Sequence, residues 1–285
     1  MALRLACACL SLWLTACAGV APEAYQPQLG QAGKDVMWLP TRDTLLTRML
    51  QVAAVGPQDL LADLGAGDGK ILIAAAREHG ARAMGVEYNP RLARLARTNA
   101  ERAGVADRVR VIEGDIFQTD FSQASVVTLY LLEELNQQLR PTLLAMKPGT
   151  RIVSNTFSMG DWEPDQVIEA GNQKAYYWKV PARVAGRWSL SGFGGAAPAD
   201  LSLVQHHQRL AGTLSLGGVL QPLLGARIDG DQLMFSFVDR EGRLQPVRAR
   251  IEAHRLHGEL LAPYGSHDVP MAPTPFEGAR IDATR

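Results

Sequence analysis

The feature that most constrains this chain is a glycine-rich turn between two apolar segments, residues 60–76, LLADLGAGDGKILIAAA. Glycines alternate with other residues from Gly65 to Gly69, and Lys70 stands where a dinucleotide-binding GxGxxG turn has its third glycine. Asp63 precedes the turn by two residues, and a carboxylate so close would repel a pyrophosphate. The turn therefore predicts a ligand that carries positive charge at this end.

Short apolar runs and helical periods alternate around this turn. Helices are expected at residues 69–79, after the cap formed by Asn89 and Pro90, and from Glu133 with a break at Pro141. This alternation predicts an α/β fold with a doubly wound sheet, which binds ligands at the carboxyl ends of its strands. The predicted strands are DLLADLG, ARAMGVEY, RVRVIEGD, ASVVTLYLL and TRIVSNTF.

The pattern changes after the glycine-rich residues 192–200. Alternating segments joined by glycine turns predict an antiparallel β region at residues 184–262, either a meander or a small barrel. The tail, residues 263–285, contains further prolines among polar residues and is expected to be disordered.

The N-terminus is typical of an exported bacterial lipoprotein. Residues 1–17 have an early cation, an apolar stretch and the ending Leu-Thr-Ala-Cys, which predicts lipidation at Cys17 and a place in the cell envelope, anchored to the membrane. Residues 18–34 are then interpreted as a tether. Two alternatives stay open here: a plain signal peptide, and a cytoplasmic protein whose start is over-extended.

Charge and histidine spacing argue against two other classes of partner. Twenty-nine basic and 29 acidic residues give a formal net charge of zero, which provides no field for nucleic acid, so no nucleic-acid partner is expected. His206 and His207 are adjacent and would point to opposite faces of a strand, and His254 and His257 would also diverge. No metal site is expected.

The glycine turn resembles motif I of the class I, seven-strand S-adenosylmethionine-dependent methyltransferases, D-x-G-x-G-x-G, as DLGAGDG. The resemblance implies a Rossmann-like methyltransferase domain at residues 35–183 with S-adenosylmethionine as cofactor. It implies that Asp63 faces the ammonium of the cofactor and that Gly65, Ala66 and Gly67 form the turn around its methionyl end.

Two further segments follow in the order of that family. Glu87 in GVEYNP matches the acid that takes both ribose hydroxyls. Asp115 in EGDIF matches the acid that meets the adenine amino group, with Ile116 against the ring. Together, acids at three consecutive strand ends indicate cofactor binding of this type more strongly than any one of them does alone.

A narrower resemblance, over residues 35–185, is to bacterial relatives of the mitochondrial protein-lysine methyltransferases. It rests on DLGAGDGKILIAAA, GVEYNP, WLPT and SNTFSMGDWEPD. It implies methyl transfer to a lysine side chain of a protein partner. The lipoprotein-type start and the β-rich C-terminal region depart from that family.

Candidate catalytic residues follow the fourth predicted strand: Tyr130, Glu133 and Glu134. The glutamates have a second interpretation, as acids that open the next helix. No N-P-P-[YF] sequence, typical of amino-methylating nucleic-acid enzymes, occurs there.

Three aromatic side chains are candidates for the substrate channel. Trp38 could cover the methionyl end of the cofactor, and Phe157 and Trp162 could form walls for an aliphatic lysine chain or simply pack under a loop.

The sequence thus predicts an S-adenosylmethionine-dependent methyltransferase that acts on protein lysine. The alternative is an exported, non-catalytic binding lipoprotein on the same scaffold, because the cofactor is made in the cytoplasm. The acids Asp63, Glu87 and Asp115 disfavour that alternative, since a protein without cofactor has no physical need for them.

Overall fold

The computed structural model describes residues 25–195, 197–264 and 272–281, which form two successive sheets. The predicted signal peptide and Cys17 lie outside the described residues. Within these ranges no helix combines the length and the apolar character that crossing a bilayer requires. The elements up to the end of the first sheet are α1 (Asp43–Val52), β1 (Leu60–Leu64), α2 (Lys70–His79), β2 (Arg82–Glu87), α3 (Pro90–Arg102), β3 (Val109–Glu113), β4 (Val126–Leu129), α4 (Glu133–Leu144), β5 (Arg151–Asn155), β6 (Gln166–Ala170) and β7 (Gln173–Lys179).

The first sheet confirms the predicted doubly wound α/β fold. Its seven strands have the order β3-β2-β1-β4-β5-β7-β6, with β1 to β5 parallel and the β6–β7 hairpin added antiparallel to β5. Because β1 lies between β2 and β4, the strand order reverses beside it, and such a switch point opens a crevice at the carboxyl end of the central strand. The glycine turn begins there, directly after Leu64.

Small residues let α2 approach its neighbours closely. A Cβ on Gly69, which has a φ of 82°, would lie 3.0 Å from the Cβ of Ala96 on α3. A Cβ on Gly85 of β2 would lie 2.5 Å from Cδ1 of Leu72 on α2. Helix α2 and the turn before it are therefore packed closely against α3 and β2.

Helix α4 does not break at Pro141, so that expectation was wrong. The helix runs through the proline to Leu144. Leu139 and Leu143, which flank Pro141, are both buried against the first sheet. Their burial holds the helical path across a residue that contributes no backbone N–H.

The antiparallel region closes into a barrel. Its strands have the order β11-β10-β12-β13-β14-β15-β16-β8-β9, and β9 also pairs with β10, which joins the two ends. Trp188, Phe193, Phe235 and Phe237 are among the side chains that fill its core. The strands are β8 (Gly186–Ser191), β9 (Ala199–His206), β10 (Arg209–Leu216), β11 (Val219–Pro222), β12 (Leu224–Asp229), β13 (Gln232–Val238), β14 (Leu244–Glu252), β15 (Arg255–Leu260) and β16 (Thr274–Arg280).

The expectation of a disordered tail was wrong for β16. This strand lies between β15 and β8, so the barrel is closed partly by residues after Pro263. Phe276 is buried in the core, with 3% of the residue exposed. Its ring packs edge-on against the ring of Phe193, with 4.8 Å between the ring centroids. Backbone pairing on both sides and the buried ring of Phe276 order the strand despite its proline and its charged residues.

Phe276→Ala should therefore lower the free energy of unfolding of the barrel by about 3–5 kcal/mol, the usual cost of deleting a buried aromatic ring. Tyr264→Ala, at a position that is 66% exposed, is the matched control and should change it by less than about 0.5 kcal/mol. Urea unfolding of both variants measures the difference. Equal midpoints for the two variants would contradict the assignment of β16 to the barrel.

Candidate functional site

A cavity of about 980 Å³, including its part open to solvent, lies at the carboxyl ends of the parallel strands. Its floor is the glycine turn after β1, and its sides come from the residues that follow β2, β3 and β4. Residues 31–41, which we call the covering segment, close it from above. Among the predicted site residues, the lining includes Asp63, Gly65, Ala66, Gly67, Glu87, Asp115, Ile116, Tyr130 and Trp38.

The turn needs its glycines for conformation and for space. Gly65 and Gly67 have φ values of 88° and 56°, in the left-handed region that favours glycine. A Cβ on Gly67 would lie 2.7 Å from Nε1 of Trp38, so the covering segment touches the turn where a side chain is missing. The N–H groups of Gly65 and Ala66 both donate to the carbonyl of Val86, at 2.9 and 3.1 Å.

Asp63, in β1, carries a buried carboxylate. It is 4% exposed, and the hydroxyl of Thr128 on β4 donates to its Oδ1 at 2.6 Å. Burial raises the pKa of Asp63 to about 7, against the lowering effect of the Thr128 hydrogen bond and with further raising by Glu87 and Asp68. In the described part of the chain no cationic side chain forms an ion pair with it. Such a carboxylate favours a cationic ligand group, because a nearby positive charge stabilises its ionised form.

Glu87 ends β2 with its carboxylate fixed by the backbone. The N–H of Gly67 donates to Oε2 at 2.8 Å, and the N–H of Asn89 donates to Oε1 at 2.9 Å. Burial raises the pKa of Glu87, and these backbone hydrogen bonds lower it. Each oxygen retains acceptor capacity, so the carboxylate is suited to accept from two neighbouring hydroxyl groups.

Asp115 also lies in the cavity, but it already has a partner. Nζ of Lys34 lies 2.9 Å from its Oδ2, and the N–H of Phe117 donates to its Oδ1 at 2.9 Å. The Phe117 hydrogen bond and then Lys34 lower the pKa of Asp115. Lys34 belongs to the residues interpreted as a tether, and that interpretation was wrong for the described residues 25–34. They fold beside the cavity, where the hydroxyl of Tyr25 donates a hydrogen bond to Oε1 of Gln31 at 3.1 Å.

Two polar contacts fix the covering segment at its C-terminal end. The side-chain amide of Asn155 donates to the hydroxyl oxygen of Thr41 at 3.1 Å. Nζ of Lys70, at the start of α2, donates to the carbonyl of Thr41 at 2.8 Å and pairs with Asp43 at 2.7 Å. The segment is thereby held to β5 and to the helix that follows the glycine turn.

The structure does not bring the predicted glutamates to the cavity. Glu133 and Glu134 open α4, where acids suit the helix dipole. Oε1 of Glu133 accepts from the hydroxyl of Ser158 at 2.9 Å. Tyr130 does line the cavity, together with Leu131 and Leu135, which the sequence analysis missed.

Two predicted channel aromatics also lie elsewhere. Trp162 is fully buried, its Nε1 donates to Oε1 of Gln208 at 3.1 Å, and its ring lies 5.9 Å from that of Trp178. It is a core residue where the first sheet meets the barrel, so its assignment to the channel was wrong. Phe157 is half-buried and is absent from the cavity lining, and its carbonyl accepts from Asn136 at 3.2 Å.

The two buried acids of the cavity, Asp63 and Glu87, fit the binding of S-adenosylmethionine. Asp63 would take the ammonium of that cofactor, Glu87 its ribose hydroxyls, and Ile116 would face its base. The fit of Asp115 is partial, because Lys34 occupies one of its oxygens.

The raised pKa of Asp63 makes a prediction about stability without ligand. The wild type loses stability as pH rises from about 4 to about 7, because over this range the unfolded chain ionises its solvated Asp63 carboxyl while the folded chain keeps the buried one protonated. Asp63→Asn avoids this loss, so it should raise the free energy of unfolding at pH 8 by at most roughly 4 kcal/mol. The gain should shrink as pH falls towards 4.

Urea unfolding at pH 5, 6.5 and 8 measures this dependence. Asp107→Asn, at a side chain that is 75% exposed, is the control and should show no comparable trend. A destabilisation by Asp63→Asn of the same size at every pH would contradict the account.

Comparison with known proteins shows the same cofactor-binding unit elsewhere. The family model described as the ANTKMT methyltransferase domain matches residues 63–166. The protein-lysine N-methyltransferase of Saccharolobus islandicus (strain REY15A) is 43% identical over 141 residues, which are 48% of this chain and 88% of that protein. The adenine nucleotide translocase lysine N-methyltransferase of Mus musculus is 36% identical over 122 residues, 42% of this chain and 53% of that protein. This chain thus spans about half the length of the mouse relative.

One solved structure extends the comparison to a bound ligand. The RNA methyltransferase from Salinibacter ruber, in complex with S-adenosyl-L-homocysteine, is 48% identical, with a TM-score of 0.50 over 51% of this chain and 96% of that one. Its ligand is what S-adenosylmethionine becomes after it gives up its methyl group. With the buried acids and the glycine turn at the head of a seven-strand sheet, these similarities show that the chain belongs to the class I S-adenosylmethionine-dependent methyltransferases, in the family of the protein-lysine methyltransferases that it matches.

Proposed function

We propose that this methyltransferase modifies the side-chain amine of a lysine in a protein. The observation that carries the proposal is the wall of the cavity after β4, formed by Tyr130, Leu131 and Leu135. Two leucines and one phenol suit an alkyl chain that ends in an amine, and the lysine methyltransferase relatives support the same acceptor.

The residues of the cavity have separable tasks in such a reaction. Asp63 and Glu87 bind and orient the donor, and Leu131 and Leu135 exclude water beside the turn. Bound S-adenosylmethionine supplies an electrophilic methyl group. The acceptor lysine must first lose a proton, with an ordinary pKa of about 10.4, and desolvation against the leucines lowers that pKa. Tyr130 offers the hydroxyl beside this wall and is the candidate that orients the amine.

RNA is a second candidate acceptor, because the Salinibacter ruber structure carries that description. The formal net charge of zero disfavours it, since RNA binding by proteins draws on basic surfaces. The exported, non-catalytic alternative has no support in the comparisons.

We also propose that the enzyme is anchored in the bacterial cell envelope through Cys17. The support for this is the sequence of residues 1–17 alone, and cytoplasmic location is the alternative.

The acceptor class is tested by label transfer. A lysate of cells that lack this chain is incubated with the purified full-length protein and S-adenosylmethionine labelled in its methyl group. We expect label that protease releases, that ribonuclease leaves in place, and that acid hydrolysis yields as methyl-lysine. Tyr264→Ala should label normally, whereas Glu87→Ala should lose at least about 90% of the label because its carboxylate anchors the donor. Label released by ribonuclease would replace lysine with RNA as the acceptor.

If Cys17 anchors the enzyme, replacing it should change the cell fraction in which the protein is found. The wild type should sediment with membranes, and Cys17→Ser should lose that association, because the variant cannot be acylated. Immunoblots of separated fractions measure this, and a soluble wild type would overturn the anchor.

A further inference from the structure

Three metal-ligating side chains meet at the junction between the methyltransferase sheet and the barrel. They are Asp161, in the connection between β5 and β6, His206 at the end of β9, and His207 in the turn that follows. One ligand atom from each lies within 4.8 Å of the other two. Nε2 of His206 lies 3.5 Å from Oδ2 of Asp161.

The turn between β9 and β10 brings the two histidines to the same side. The strand pattern predicted opposite faces, but His206 pairs with Arg209, and the chain reverses at His207 and Gln208. His207 has a φ of 52°, in the left-handed region that few residues other than glycine adopt. The centroids of the two imidazole rings are consequently 4.4 Å apart.

Neighbouring groups hold His207 and Asp161 in place. The side-chain amide of Gln205 donates to the carbonyl of His207 at 2.8 Å, and the ring of Trp162 lies 5.9 Å from the His207 ring. Arg140 binds Oδ1 of Asp161, which leaves Oδ2 directed at the histidines. The guanidinium orients the carboxylate, and its positive charge also opposes the binding of a cation.

We propose that Asp161, His206 and His207 bind one divalent transition-metal ion, for which Zn²⁺ is the best match, and that this ion links the methyltransferase domain to the barrel. Two imidazole nitrogens and one carboxylate oxygen are ligands that Zn²⁺ accepts in a tetrahedral site, with water in the fourth position. Calcium and magnesium prefer more oxygen ligands.

A structural role follows from where the ligands come from. Beside them, Gln208 joins the two units by accepting from Trp162 and by donating to the carbonyl of Glu163 at 2.7 Å, and Arg209 pairs with Glu163. A metal ion bonded to Asp161 on one side and to the histidines on the other would strengthen this same junction.

The test titrates Zn²⁺ into the full-length chain, purified without a histidine tag and stripped with a chelator, in competition with a chromogenic zinc indicator. We expect one ion per chain with a Kd in the micromolar range or tighter, and a higher unfolding temperature when zinc is present. Asp161→Asn and His206→Gln should each weaken binding at least tenfold and remove the thermal shift. Both positions are exposed, at 61% and 68% of the side chain, so the fold should be retained.

His257→Gln is the matched control, because His257 also faces a carboxylate, Glu277, at 2.8 Å but belongs to no cluster of three ligand residues among the described ones. It should bind zinc as the wild type does. Absence of saturable binding below about 1 mM, or equal binding by Asp161→Asn, His206→Gln and wild type, would overturn the proposal.

Discussion

The carboxylate of Asp63 is buried at the end of the central strand and forms no ion pair with a cation in the described part of the chain, and the organisation of the site depends on it. Thr128, its partner in the register on β4, supplies a single hydrogen bond, which does not offset the cost of burial. A group of this kind lowers the stability of the ligand-free protein at neutral pH, compared with pH 4, and gains most from a positively charged ligand. The glycine turn next to it provides space for such a ligand, and Glu87 is fixed to that turn by the N–H of Gly67.

The covering segment and the barrel extend this unit in two directions. The segment lies over the turn through Trp38, is held by Asn155, and reaches Asp115 through Lys34. The Lys34–Asp115 ion pair therefore ties this N-terminal segment to the wall of the cavity. The barrel contacts the same domain around Trp162, where polar side chains from both units meet.

Much of the cofactor site was predictable because it depends on local chemistry. Left-handed turns require glycine, and acids at strand ends face the crevice of a doubly wound sheet, so Asp63, Glu87 and Asp115 could be placed from the chain alone. The contacts made by distant segments could not. Lys34 looks like part of a tether until the fold brings it to Asp115, and Trp162 looks like a channel wall until the barrel buries it. The order of β16 depends on pairing with β8 and β15, which its own residues do not indicate.

The most direct test of the central claim is the number of protons released when S-adenosylmethionine binds at pH 6, measured by calorimetry in two buffers of different ionisation enthalpy. If the cofactor ammonium pairs with Asp63, whose pKa is about 7 in the ligand-free chain, binding must ionise that carboxylate and release close to one proton. Binding without proton release would contradict the assignment of Asp63 to the ammonium. Absence of binding by the folded chain would contradict the cofactor site itself.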